Sequence, residues 1–542
     1  MEFWAIVSMS VLIAACLAFF PFPSNKGKMI KGKLPPGPAA VPIIGNLHWL
    51  TRSLQDIESI LRELRTQYGP IISLQIGPSP AIFISDHALA HEALVGKGAT
   101  FADRPPATQA VRFLSANQHN INSAGYGPLW RLLRRNLMSQ ILHPSRVKSY
   151  GEARNWVLEL LIEKLKSESQ MAGSVRIVES FQFAMFCLLV FMCFGQRLEE
   201  KVVMEIQEVQ RDILVNFTRF DVFAFFPRIG KWVFRKRWNY LLGFRQRQAQ
   251  VLLPLIRARQ LSLMKSEGNK LEKEEKNGSF GFSYVDSLLS LQLPEEEGGR
   301  KLTEEEIISL CSEFLNAGTD TTSTAMQWIM ANIVKYPKIQ EKLAKEIDGV
   351  VLRDQRKPQE GEDVENASTG GFIKEEELHK MKYLKAVVME EALRRHPPGH
   401  FVLYHAAKGE AEINGYIIPK GAIVNFTVAE IGMDEKVWKD PMEFKPERFL
   451  LEGEEEVDIT GTRGIKMMPF GAGRRICPGL SLAMLHLEWF VANLVKEFEW
   501  KASEGEEVDL TEKPEFTIVM KNPLNVVLLP RKKTGSTADV TC

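Results

Sequence analysis

The feature that most constrains this 542-residue chain is a glycine-rich run around one cysteine near its C-terminal end. Residues 470–479 fit the spacing F-x-x-G-x-R-x-C-x-G at all five fixed positions, which are Phe470, Gly473, Arg475, Cys477 and Gly479. The two glycines let the backbone turn and approach the sulfur closely enough for amide N–H groups to stabilise a thiolate. A buried free cysteine beside a turn is the alternative, because cysteine is often buried. Five matches at fixed spacing favour a thiolate ligand.

These ten residues resemble the haem-binding loop of the cytochrome P-450 superfamily. The resemblance implies a haem (iron protoporphyrin IX) cofactor with Cys477 as its axial iron ligand and Arg475 facing a haem propionate. A thiolate ligand pushes electron density toward bound oxygen and favours cleavage of the O–O bond. We therefore expect Cys477 to be the metal ligand and Phe470, Gly473 and Gly479 to shape its loop.

Residues 317–322 lie inside a helical pattern from about residue 303 to 334 and resemble the oxygen-binding helix of the same family. The resemblance implies that Thr321 donates a hydrogen bond on the oxygen side and that Asp320 relays protons from solvent. Gly318 can tolerate a local widening of the helix, which would let the Thr321 hydroxyl face the haem. The alternative is that a mid-helix threonine bonds the carbonyl four residues earlier.

Two further spacings resemble haem-propionate contacts of the family. Trp130 and Arg134 match its W-x-x-x-R pattern, and at i,i+4 an indole N–H and a guanidinium can reach one propionate from one helix face. His405 stands at about the place where the family carries a basic residue toward a propionate. A surface histidine is the other interpretation.

Glu391 and Arg394 match the family's E-x-x-R pattern and share a helix face at i,i+3. With Arg448 they resemble a buried charge triad that braces the segment before the cysteine loop. Their expected role is structural, and an exposed ion pair is the alternative.

The N-terminal region reads as a membrane anchor rather than a cleaved signal peptide, because it lacks a basic start and a small-residue cleavage site. Residues 3–22 form an uncharged apolar run long enough to cross a bilayer, and lysines at 26, 28, 31 and 33 place the rest of the chain on the cytosolic side. We expect no glycan at the sequons Asn216, Asn277, Asn366 and Asn425. The prediction is a transmembrane anchor at 3–22, a basic proline-rich hinge at 23–38, one haem-thiolate catalytic domain at 39–530 and a disordered tail at 531–542.

Composition and periodicity set the fold class. The 68 Lys and Arg residues against 67 Asp and Glu give a net charge of +1 and no reason to expect a nucleic-acid partner. The 6 cysteines lack C-x-x-C pairs, which argues against a disulfide framework or a zinc site. Helical spacing dominates from about 129 to 350, two strands flank a turn at 77–80, and residues 265–279, 351–371 and 451–464 read as loops. The prediction is a mainly α protein with small β-lobes.

The resemblance covers residues 34 to about 530 and is greatest to plant A-type microsomal members. It implies a monooxygenase in the endoplasmic reticulum membrane that inserts one oxygen atom of O2 into a lipophilic small molecule. Electrons would come from a membrane-bound NADPH–cytochrome reductase docking near Arg134, Arg135, Lys466 and Arg474. A fatty-acid hydroxylase or epoxidase is a narrower alternative. A haem-thiolate isomerase or dehydratase and a non-catalytic haem- or lipid-binding protein are further ones.

Overall fold

The structure is a computed structural model that describes residues 33–40, 45–46, 54–76, 79–225, 229–268, 282–355, 371–450 and 457–531. The predicted anchor, hinge residues 23–32 and tail residues 532–542 lie outside this part of the chain. So do the sequons Asn277 and Asn366.

Helices account for most of the described chain. They are α1 (Leu54–Tyr68), α2 (His87–His91), α3 (Gly98–Phe101), α4 (Gln109–Leu114), α5 (Pro128–Gln140), α6 (Pro144–Ser149), α7 (Gly151–Ala172), α8 (Ile177–Phe194), α9 (Glu200–Asn216), α10 (Val222–Phe225), α11 (Gly230–Val233), α12 (Arg235–Gly268), α13 (Tyr284–Leu289), α14 (Glu304–Lys335), α15 (Pro337–Gln355), α16 (Lys382–Lys385), α17 (Leu393–Arg395), α18 (Val428–Gly432) and α19 (Leu480–Glu497). Wider π-helical turns occur at Glu92–Gly96 and Ala386–Ala392. Helix α12 continues to Gly268 and helix α15 to Gln355. The predicted starts of the loops at 265–279 and 351–371 are therefore a few residues too early.

Small sheets complete the fold. Their strands are β1 (Ile71–Ile76), β2 (Ser79–Ile84), β3 (Val175–Arg176), β4 (His405–Ala406), β5 (Ala411–Ile413), β6 (Tyr416–Ile418), β7 (Ile423–Phe426), β8 (Phe498–Ala502), β9 (Glu512–Pro514), β10 (Ile518–Met520) and β11 (Asn525–Pro530). The largest sheet has the order β1-β2-β7-β4, with β1 antiparallel to β2 and β2 parallel to β7. The predicted strand pair is confirmed, although β2 begins at Ser79 and shortens the predicted turn.

The core forms where α8, α14 and α19 pack together. Among the described residues, α8 is the one helix long and apolar enough to cross a membrane, but 83% of it is buried inside the fold, as in a core helix. Helix α14 starts where the sequence predicts, because Thr303 and Glu306 form a capping box in which each side chain accepts the other's backbone N–H. This long buried helix and the start of α19 position the two sides of the site.

Candidate active site

The Cys477 loop lies between a short 3₁₀ turn at Gly473–Arg475 and the start of α19 at Leu480. The Cys477 backbone N–H donates to the Phe470 carbonyl at 2.9 Å, which folds the loop back on itself. Burial raises the pKa of the Cys477 thiol, whereas the Gly479 backbone N–H and the positive charge of Arg134 lower it. The loop therefore presents a sheltered sulfur to which an amide N–H and a guanidinium offer partial compensation for negative charge.

Gly473 is required by a close contact that the sequence does not show, in addition to its predicted role in the turn. Its φ is +68°, and a Cβ there would lie 2.0 Å from the Leu94 carbonyl oxygen in the π-helical turn Glu92–Gly96. The neighbour that excludes a side chain is thus distant backbone, since the three heavy atoms nearest to that Cβ position all belong to Leu94. A Cβ at Gly479, in contrast, would lie 3.9 Å from the Cys477 sulfur, in ordinary contact.

Trp130, Arg134 and Arg475 meet beside the cysteine loop. The Arg475 guanidinium lies 4.4 Å and that of Arg134 5.7 Å from the Trp130 ring centroid. The Trp130 indole N–H is buried and has no hydrogen-bond partner, which is rare for a buried donor. An unpaired N–H between two guanidinium groups is a donor set that fits an anionic group such as a haem propionate.

Arg475 itself donates only to backbone carbonyls in this structure. They are those of Ala102 at 2.7 Å, Ile121 at 3.2 Å and Ala124 at 2.6 Å. Burial lowers the pKa of Arg475 to about 9, and the nearby positive charge of Arg104 adds to this effect. Gathering several cations at one buried place is unfavourable without an anion, so their convergence is further support for an anionic ligand.

His405 is not the surface residue that one interpretation of the sequence suggested. It lies in β4, is 4% exposed, and its Nδ1 is 2.6 Å from the Phe101 carbonyl oxygen. Since a carbonyl only accepts, Nδ1 carries the proton, and burial together with the charge of Arg104 lowers the pKa of His405 to about 3. His405 is therefore a buried, neutral side chain in this structure, and its role toward a haem propionate remains a prediction.

On the opposite side of the site, the Thr321 hydroxyl bonds within its own helix, as the alternative interpretation of the sequence predicts. Its hydroxyl donates to the Ala317 carbonyl at 2.7 Å, and α14 is a regular α-helix throughout without the expected widening at Gly318. A Cβ on Gly318 would lie 2.7 Å from Cδ1 of Leu189, so this glycine permits close packing of α14 on α8. Ala317 is exposed although most of the helix around it is buried, which shows that the face carrying Ala317 and Thr321 borders open space.

Asp320 lies next to Thr321 in a half-buried position. Burial raises the pKa of its carboxyl, the Arg211 charge lowers it and the Glu515 charge raises it. A carboxyl in such surroundings retains its proton to a higher pH than one in water.

Arg394 and Arg448 both bind the segment that leads to the cysteine loop. Arg394 is 1% exposed and donates to the carbonyls of Gly432 at 3.0 Å and Pro441 at 2.8 Å. Arg448 donates to the carbonyls of Lys439 at 2.8 Å and Glu443 at 3.1 Å. The side chain of Glu391 lies outside the described part of the chain, so the predicted triad remains a prediction.

Sequence reasoning missed one half-buried carboxylate near the site. Glu313 of α14 accepts hydrogen bonds from the backbone N–H groups of Ile121 at 2.9 Å and Asn122 at 2.6 Å. Its only signal in the sequence is an acidic residue four positions before Ala317, within an apolar helix.

A half-buried thiol on a tight loop, together with the unpaired indole N–H and the clustered guanidinium groups, is what the site of a haem-thiolate protein requires. The family model "Cytochrome P450" matches residues 35–529. The chain is 46% identical to cytochrome P-450 89A9 of Arabidopsis thaliana over 97% of this chain and 100% of that protein. It is 31% identical to a tabersonine 6,7-epoxidase of Catharanthus roseus (94% and 95%) and 30% identical to a geranylhydroquinone 3''-hydroxylase of Arnebia euchroma (97% and 99%).

A solved structure agrees on the fold. A zebra fish cytochrome P-450 with abiraterone superposes with a TM-score of 0.67 at 23% identity, covering 88% of this chain and 100% of that chain. The chain therefore belongs to the cytochrome P-450 family. Haem is its cofactor, and it is a haem-thiolate monooxygenase.

Proposed function

We propose that this enzyme inserts one oxygen atom of dioxygen into a lipophilic small molecule, with Cys477 as the iron ligand and an NADPH–cytochrome reductase as electron donor. The observation that carries the proposal is the half-buried Cys477 thiol on its tight loop, together with the unpaired Trp130 N–H. Haem, when bound, supplies the activation of dioxygen. Trp130, Arg134 and Arg475 would hold its propionates.

Proton delivery falls to Asp320 and Thr321. The raised pKa of Asp320 favours a carboxyl that holds a proton and passes it on, as a general acid must. The Thr321 hydroxyl can take part once it rotates about χ1 away from the Ala317 carbonyl, since staggered rotamers exchange readily. Without these two groups, electrons would be consumed but less product would form.

The proposal is tested with the full-length chain, a plant NADPH–cytochrome reductase and a panel of lipophilic compounds under isotopically labelled dioxygen. We expect one labelled oxygen atom in a product, and a lower ratio of product to NADPH consumed in Thr321→Ala. Thr319→Ala is the matched control, because Thr319 makes the same type of bond, to the Leu315 carbonyl at 2.7 Å, from a buried position. Equal ratios in the two variants would contradict the role of Thr321, and a product without label would contradict oxygen insertion.

A lipophilic substrate is supported by exposed apolar side chains in residues 215–233. Val215 is 62%, Phe217 38% and Trp232 84% exposed, as suits contact with a membrane surface from which an apolar substrate could enter. The relatives named above include one hydroxylase and one epoxidase, and neither name refers to a fatty acid. The substrate class that we propose is therefore broader than fatty acids.

Reductase docking is proposed on the face that carries the exposed side chains of Arg135, Lys466 and Arg474. Basic groups suit an acidic donor, and their effect falls with salt. We expect Lys466→Glu to slow reduction several-fold at low ionic strength, with Lys501→Glu, an exposed lysine of strand β8, as control. Equal slowing in both variants would contradict this face.

The membrane orientation remains a proposal with a direct test. Asn425 is 3% exposed in β7, so the fold itself blocks a glycan there, whereas Asn216 is half-buried and accessible. In cells we expect Asn216 to carry no glycan because the domain faces the cytosol. A glycan at Asn216 would contradict the orientation.

A further inference from the structure

The segment 119–124, between α4 and α5, is hydrogen-bonded to α14 on one side and to Arg104 and Arg475 on the other. Its two amide N–H groups at Ile121 and Asn122 donate to the two carboxylate oxygens of Glu313 at 2.9 and 2.6 Å. Its carbonyls accept from Arg475 and, at Asn122, from Arg104 at 2.7 Å. One carboxylate thus holds one edge of the segment, and two guanidinium groups hold the other.

The chain that leads into this segment is strained. Ala116, Asn117 and Gln118 are consecutive non-glycine residues with φ of +46°, +65° and +65°. Such residues are uncommon singly and persist only where their surroundings hold them. A second contact joins the start of the segment to α14, because His119 contacts the Glu306 carboxylate. Glu306 lies two helical turns before Glu313 on the same face of α14.

Glu313 also lies on the face of α14 that carries Thr321. Glu313, Ala317 and Thr321 are spaced at i, i+4 and i+8 on α14, and therefore form one stripe. At about 1.5 Å per residue, Glu313 lies roughly 12 Å from Thr321 along the helix axis. Burial raises the pKa of Glu313 to about 7, while its two amide partners and the charges of Arg104 and Arg475 lower it, as expected for an enclosed carboxylate.

We propose that Glu313 is a positioning residue that fixes the segment 119–124 at the edge of the substrate pocket and so determines which apolar molecules fit. Glu313 takes no part in proton or electron transfer. The proposal rests on the proposed function in one respect, the placement of substrate beside Thr321. The attachment of the segment to Glu313 can be measured without turnover.

The first test is amide hydrogen exchange of the haem-loaded full chain in Glu313→Ala, Glu313→Gln and Glu304→Ala. Hydrogen bonds to a charged acceptor are worth more than neutral ones, so we expect exchange at Ile121 and Asn122 to be about tenfold or more faster in Glu313→Ala. Gln retains one acceptor oxygen and should give a smaller effect. Glu304 is the control because it lies on the same helix but pairs with Arg257, and it should change nothing in the segment.

The second test reads the pocket with imidazole and a series of n-alkylimidazoles, whose nitrogen ligates iron while the tail extends into the pocket. In Glu313→Ala we expect affinity for the longest tail to change about tenfold and affinity for imidazole itself to stay within about twofold, because only the tail reaches the displaced segment. Equal changes for all probes, or unchanged exchange at Ile121 and Asn122, would overturn the proposal. Failure of both Glu313 variants to fold would also overturn it, since Glu313 would then be needed for the fold itself. Failure of wild-type protein to bind any imidazole would instead contradict the proposed haem site.

Discussion

Gly473→Ala provides the sharpest perturbation of the cysteine loop, because two separate penalties can be assigned from the structure. A non-glycine residue at φ +68° costs about 1–2 kcal/mol. The new Cβ would also lie 2.0 Å from the Leu94 carbonyl oxygen, so backbone must move by more than 1 Å to reach an ordinary contact. Overpacking of this kind costs about 1–3 kcal/mol, which brings the expected total to about 2–5 kcal/mol.

The matched control is Gly415→Ala, in the hairpin between β5 and β6. Gly415 has φ +75° but no atom within 4 Å of its Cβ position, so only the conformational penalty of about 1–2 kcal/mol applies. The assay is urea unfolding of the holo-protein followed by helicity, together with the rate of haem loss, since Cys477 lies only a few residues beyond Gly473. Equal destabilisation by both substitutions, with equal haem loss, would refute the steric role assigned to Gly473.

Three further predictions concern packing, cofactor binding and pH. Gly318→Ala should destabilise by about 1–3 kcal/mol in urea unfolding because its Cβ would lie 2.7 Å from Leu189 Cδ1. Gly318→Ala should cost less in a Leu189→Ala background, and an equal cost in both backgrounds would contradict this contact. Trp130→Phe should weaken haem retention about tenfold, because the unpaired indole N–H is removed while an aromatic ring remains. Haem retention is measured by transfer of haem to an excess of apomyoglobin, and retention equal to that of wild type would contradict the propionate assignment. Burial alone would lower the pKa of His400, but hydrogen bonds to Glu512 and Glu58 raise it to about 9, above its ordinary 6.5. The contribution of protonated His400 to the free energy of unfolding is therefore complete below about pH 6.5 and is lost as pH rises through about 9. The difference in unfolding free energy between wild type and His400→Asn should shrink over that pH range.

The local signals in the sequence were strong enough to predict both ends of the site. The helical spacing from about residue 303 predicts where α14 begins, and the structure starts the helix at Glu304, after a capping box between Thr303 and Glu306. The two glycines around Cys477 predict a turn, and the structure has a 3₁₀ turn at Gly473–Arg475. Such features depend on neighbours a few residues apart, and the sequence displays those directly.

Contacts between distant segments could not be predicted in this way. The Leu94 carbonyl that excludes a side chain from Gly473, and the Leu189 side chain that does so at Gly318, belong to other elements. The two amides that bind Glu313 come from a connection without regular structure, and no periodicity marks them. The burial of His405 could not be predicted for the same reason, because it depends on the pairing of β4 with β7.

The central claim is that Cys477 binds the haem iron through its sulfur, and the carbon-monoxide difference spectrum of the reduced full-length protein tests it most directly. Wild-type protein should give the long-wavelength absorption band characteristic of a thiolate ligand trans to carbon monoxide. Cys477→Ser should lose that band even in preparations that still contain haem. Retention of the band in Cys477→Ser would contradict the assignment of this cysteine as the iron ligand.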